Sequence, residues 1–182
     1  MHVKLIPLQV RGSDRSAFVD FLSGEEFPFH VRTNPSRELV EGNIDQGVYD
    51  DEDHAPYWVE HVEKGRIGTV ALEDLTDDTP LFDLRLAAKF RGSGLGLEAV
   101  KAITAHVFST MPTVNRLEGQ TREDNIAMRK TFLRAGFLKE AHYRQSWPVE
   151  NGAPLASVAY AILRRDWETG TTTTFAWEDL AA

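Results

Sequence analysis

Hydrophobic positions change their period several times along the chain, and each change marks an element. Residues 2–10, HVKLIPLQV, alternate well enough to predict a strand. Phe18, Val19, Phe21 and Leu22 then fall at helical spacing behind Ser13, whose hydroxyl suits a helix N-cap. The stretch GEEFPFHVRTNPS breaks the pattern as a loop. Asn34 followed by Pro35 predicts the cap and first residue of a short helix through Leu39 and Val40. From Tyr57 to Leu72 the pattern is that of two strands joined by a turn at Lys64 and Gly65. LFDLRL, residues 81–86, predicts a third strand after the turn-rich EDLTDDTP. These three strands form a meander.

Helical periodicity returns with Leu97, Val100, Ile103 and Val107 on one face, and Pro112 ends that helix. NRLEGQT predicts a further strand. EDNIAMRKTFLRAGF predicts a helix whose Ile126, Phe132 and Leu133 pack inward, closed by Gly136 where a left-handed C-cap belongs. Strands follow from about Leu138 to Ser146 and over LASVAYAIL, and residues 168–182, with TGTTTT, form an irregular tail. Strands first, then helix, strand, helix and two strands describe an α+β fold: a mixed, mostly antiparallel central sheet flanked by helices. No repeat or long linker divides it, so residues 1–182 are read as one domain.

Composition narrows the chemistry. The chain has no cysteine, which excludes thiolate nucleophiles, thiolate metal sites and disulfides. Its net charge of −8 argues against a nucleic-acid partner, because phosphate binding needs clustered Lys and Arg. No apolar run is long enough for a membrane span, and the first residues carry no signal-peptide core, so the expected location is cytoplasmic. The six histidines are dispersed without metal-ligand spacing, and the acidic run Asp50–Asp53 reads as a solvated turn; no metal is expected.

One segment stands apart. Arg91-Gly92-Ser93-Gly94-Leu95-Gly96 sits at a strand-to-helix junction. The first N–H groups of a helix have no internal partner and the helix dipole adds positive character, so such a junction favours an anion. Bare glycines let the backbone approach a phosphate, while Arg91, with Lys89 nearby, adds charge. Taken alone, the loop can equally be a turn and a helix start. The spacing is not that of a dinucleotide fingerprint, since Leu97 stands at the sixth position, nor of a P-loop, which needs Gly-Lys-Ser/Thr.

Arg-x-x-Gly-x-Gly resembles the first motif of the GNAT superfamily of acyl-CoA-dependent N-acyltransferases. TREDNIAMRKTFLRAGF resembles that superfamily's second motif at Asn125, Gly136 and Phe137. LEGQT, KEAHYR and YAILRRDW resemble in particular the RimJ/RimL-like branch, which acetylates the N-terminal amine of ribosomal proteins. The likeness spans about Gly65 to Trp167. It implies a GNAT-like fold and acetyl-CoA as co-substrate, with an acetyl group moved to a primary amine by direct attack in a ternary complex. The acceptor is a protein N-terminus or a small molecule.

The same resemblance implies roles for particular residues. The edge strand at Leu84, Arg85 and Leu86 would pair with the pantetheine arm, and a bulge there would open a slot beside LEGQT. Gly92, Ser93, Gly94, Leu95, Gly96 and Leu97, with Arg91, would hold the pyrophosphate, and Asn125 would touch the arm. Glu118 and Glu140 are the two carboxylates that the family pattern offers as base, Glu118 first. His30 would line an acceptor pocket built from residues 27–53, although an aromatic loop can simply be packing. Where many members have a thiolate-protonating Tyr this chain has Phe132, leaving Tyr143 or a water for that step, and Met128 stands where the branch often has Ser. Similar proteins are often homodimers. A non-catalytic acyl-CoA sensor remains the alternative.

Overall fold

In the computed structural model, which describes residues 2–150 and 152–178, seven strands form one sheet in the order β1-β2-β3-β4-β5-β7-β6. The strands are β1 (Val3–Pro7), β2 (Ala55–His61), β3 (Gly65–Glu73), β4 (Leu81–Leu86), β5 (Arg116–Arg122), β6 (Leu138–Trp147) and β7 (Leu155–Leu163). Helices α1 (Arg15–Gly24) and α2 (Arg37–Asp45) precede β2, α3 (Leu95–Thr110) joins β4 to β5, α4 (Ile126–Arg134) joins β5 to β6, and α5 (Arg164–Thr169) follows β7. All pairings are antiparallel except β4 with β5, which is parallel and carries a single matched pair, Leu81 with Glu118. The expected fold class is the observed one.

Strand alternation sorts side chains to two faces. Val59, Val70, Leu72 and Phe82 join Val100, Ile103 and Val107 of α3 in the larger core, which Phe132 and Phe137 extend toward β5 and β7. Trp58, one residue before Val59, faces the other way into a smaller core with Phe18, Val19 and Leu22 of α1 and Val40 and Ile44 of α2. β3 is covered on both faces, hence its run of buried residues from Ile67 to Val70.

Several sequence expectations shift. Ser13 does not cap α1; its hydroxyl and the Asp14 carboxylate are engaged by Gln9 in the preceding turn, and the helix begins at Arg15. The cap of α2 is Ser36, whose hydroxyl accepts from Leu39 N at 3.2 Å, so Asn34 and Pro35 lie outside the helix. Ile126 and Leu133 are half exposed, because the buried stripe of α4 runs through Met128 and Phe132, four residues apart. Residues 164–169 form α5 where the expected tail begins, and the last four residues of that tail, 179–182, lie outside the described residues. β4 keeps continuous register with β3 and contains no bulge. The slot opens instead because β4 and β5 diverge after their one pair.

Among the described residues no helix is long and apolar enough to cross a membrane.

Candidate active site

The divergence of β4 and β5 leaves the outer edge of β4 without a strand partner from Phe82 to Leu86. A cavity of about 540 Å³ occupies the opening. Its walls are Leu84 and Leu86 of β4, the loop and helix start at Arg91, Gly92, Gly94, Gly96 and Leu97, and one side of α4 from Asn125 to Arg134. Gly92 and Gly94 adopt φ of +72° and +88°, left-handed conformations that side chains rarely take. With Gly94 as N-cap of α3, the amides of residues 94–96 precede the first intrahelical hydrogen bond, Leu97 N to Gly94 O, and Gly94 and Gly96 line the cavity.

Not every predicted ligand is free to use its side chain. The Arg91 guanidinium donates to Leu86 O at 2.8 Å and to Glu26 O at 2.6 Å. Ser93 Oγ donates to Phe90 O, and the Leu95 side chain is buried in the core. The Asn125 side chain caps α4, accepting from Met128 N at 3.2 Å while its amide donates to Thr121 Oγ1. These residues offer the cavity mainly their backbone and shape. The positive charge that sequence reasoning missed comes from α4, where Lys130 and Arg134 line the same cavity one helical turn apart.

Residues 25–30 cross over the opening. Glu25 Oε2 accepts from Ala88 N, Arg91 holds the Glu26 carbonyl, and Phe27 is flanked by the guanidinium groups of Arg85 and Arg91 at 5.2 and 5.6 Å. Phe29 meets Arg122 at the end of β5 at 5.0 Å. His30 lines the cavity, and its Nε2 is 2.8 Å from Asp83 Oδ1 while Nδ1 is buried without a partner.

Asp83 belongs to the other face of β4. There a smaller cavity of about 140 Å³ lies between the sheet and α1, lined by Phe18, Leu22, Tyr49, Ala71, Glu73, Asp83 and Arg85 among others. Arg85 clasps Asp83 Oδ2 through Nε at 2.9 Å and Nη2 at 2.8 Å. Burial alone would raise the Asp83 carboxyl, but Arg85 and His30 outweigh it and hold the group well below the ordinary carboxylate range. At Glu73 the positive groups His54 and Arg85 are outweighed. Burial, and then the charge of Asp83, push its carboxyl up to about 7.

The carboxylates singled out by the family pattern sit elsewhere. Glu118 Oε2 and Glu140 Oε2 both accept from Arg116 Nη2 at 2.7 Å, and neither lines either cavity. Burial works against the Arg116 charge, but Glu140 and Glu118 overcome it and raise its pKa. Phe132 is buried, stacked on Tyr160 at 5.0 Å, and Tyr143 is exposed on β6. Among the described residues no group of three His, Asp or Glu could hold a metal ion.

A sheet parted between two parallel strands, with a glycine-lined helix start beside the gap, is the apparatus of an acetyltransferase that draws on a CoA thioester. The sequence matches the acetyltransferase (GNAT) domain over residues 3–138, and the chain belongs to that family. No curated protein matches the chain. Among solved structures, a chimera of spermidine N-acetyltransferase SpeG from Vibrio cholerae with hSSAT superimposes with a TM-score of 0.76 at 16% identity, over 92% of this chain and 99% of that one. SpeG from Vibrio cholerae in complex with CoA and spermine gives 0.72 at 18% identity, over 92% and 98%. A dodecameric structure of the same enzyme gives 0.71 at 16% identity, over 91% and 96%. At these identities the likeness is one of fold.

Proposed function

We propose that this acetyltransferase takes its acetyl group from acetyl-CoA and delivers it to a primary amine by direct attack in a ternary complex. The observation that carries this reading is the pair of cavities on opposite faces of β4, the strand whose outer edge is unpaired. The larger cavity has the donors a pyrophosphate needs, at the start of α3, and a free strand edge for the amide groups of a pantetheine arm. Held geometry supplies much of the rate in such a transfer, because it replaces a bimolecular encounter. Backbone amides beside the splayed strands would stabilise a developing oxyanion. The acceptor class, a small-molecule amine or a protein α-amine as in the RimJ/RimL-like branch, follows from the sequence resemblance. The spermine complex of SpeG supports a cationic amine.

Calorimetry with CoA and a thiol-release assay with a panel of amines test the reading. Binding of CoA to the wild type and release of thiol with at least one amine are expected. Gly94→Val forces a β-branched residue to φ +88° and should weaken CoA binding by about tenfold or more. An absence of CoA binding by folded protein overturns the proposal. Binding without turnover on any amine supports the acyl-CoA sensor instead.

A further inference from the structure

We propose that Glu73 is the catalytic base, and that the 140 Å³ cavity around it seats the head of a short primary amine. The inference rests on the reading of the larger cavity as the acetyl-CoA slot. Three observations lead to it.

The first is position. Glu73 stands opposite Leu81 in the β3–β4 register and diagonally across from Asp83, on the same face, a separation of about 7 Å. Leu81 is also the last residue of β4 that pairs with β5. Glu73 therefore lies beside the point where the sheet opens, on the face away from α3. An amine in this cavity would reach the thioester past the edge of β4, at Asp83 and His30, whose side chains line the smaller and the larger cavity respectively.

The second is charge. Three other acids near this gap are committed: Asp83 to Arg85 and His30, Glu118 and Glu140 to Arg116. Glu73 has no ion pair and no side-chain hydrogen bond among the described residues. The charged and titratable groups around it are His54 from the segment before β2, Asp83 and Arg85 from β4, and Asp74 next in the chain. To the cavity it lines, α1 contributes only Phe18 and Leu22, and the segment after α2 only Val48 and Tyr49. A carboxyl raised to about 7 is matched to take a proton at neutral pH, where an ordinary carboxylate is too weak a base.

The third is size. A space of about 140 Å³ equals about four or five water molecules, which admits an ammonium group and a short stem. Phe18, Leu22 and Tyr49 supply apolar contact for that stem.

In the reaction the bound ammonium gives one proton to the Glu73 carboxylate, directly or through a water. The neutral nitrogen attacks the thioester carbonyl carbon, forming the C–N bond and an oxyanion. Collapse of this adduct breaks the C–S bond. The departing sulfur takes the second nitrogen proton, so CoA leaves as its thiol and Glu73 returns its proton to solvent.

The test uses the full chain with acetyl-CoA and a short alkylamine whose own pKa lies near 10, so that any limb near neutrality belongs to the enzyme. For the wild type, kcat/KM should rise through about pH 7. Glu73→Gln should lower it about 100-fold and remove that limb, Glu73→Asp should restore part of both, and Ala71→Leu should raise the KM for amine about tenfold. CoA affinity, measured on each variant by calorimetry, should stay within twofold of wild type. If Glu73→Gln keeps the rate and the limb, or if Glu118→Gln abolishes the limb in its place, the assignment is overturned while the acetyltransferase reading stands. If the wild type binds no CoA, it is the slot that fails. Should Glu73→Gln not fold, Ala71→Leu and Glu73→Asp decide the matter by the same readouts.

Discussion

A carboxyl without a cationic partner is costly to keep charged inside a protein, and Glu73 shows this on the scale of one residue. Its pKa rises from the ordinary 4.5 to about 7, so the folded state prefers the protonated form. The sign follows: Glu73 favours folding fully below about pH 4.5, and this contribution is lost as pH rises to 7. The difference is on the order of 3 kcal/mol. Denaturant titrations between pH 4.5 and 8 should show a decline in wild-type stability that Glu73→Gln lacks; parallel profiles for the two proteins would contradict the environment described for this group. Nothing in the sequence announces Glu73, since a Glu at the end of a strand is an ordinary surface residue. Its character comes from Leu22, Tyr49 and Asp83, which are distant in the chain. Arg91 is the converse case. Its place before the glycines was plain, but its bonds to Leu86 O and Glu26 O depend on how residues 25–30 cross the opening.

At the scale of elements, the sequence was most readable where backbone geometry restricts residue choice. Gly92, Gly94 and Gly136 all take positive φ, and the loop, α3 and the end of α4 lie where these glycines imply. Helix starts were less readable, because Ser13, Asn34 and Ser36 are all plausible caps and tertiary contacts choose among them. The inward face of α4 was misjudged for a related reason. On a nine-residue helix one aromatic anchor sets the orientation, and Phe132 is that anchor. It lies against Gly119 of β5, where an added Cβ would stand 2.5 Å from the Phe132 ring. Tyr160 and Phe137 hold that ring in place at 5.0 and 5.4 Å. Gly119→Ala should therefore cost about 1–3 kcal/mol and lower the melting temperature by roughly 2–12 °C. Scanning calorimetry checks this, and an unchanged transition would mean that α4 can move aside.

On the scale of the whole molecule, the order of motifs implied the fold class, while the cause of the opening between β4 and β5 is not legible in it. A bulge in β4 was expected; divergence after one pair does the same work, and strand pairing over such a distance leaves no local mark. The proposed acceptor cavity is assembled from α1, the segment after α2, β3 and β4, and no single stretch of sequence carries its signature.

The lone rung between Leu81 and Glu118 also bears on how the protein opens. β1 to β4 form one laddered block and β5, β7 and β6 another, and little backbone bonding ties the two. Native-state amide hydrogen exchange under rising denaturant should resolve two families of exchange isotherms, one for each block, that merge only near global unfolding. A single isotherm for all seven strands would show that side-chain packing from α3 welds the blocks into one cooperative unit. Two families would mean that the seam serving chemistry is also the line along which the fold first comes apart.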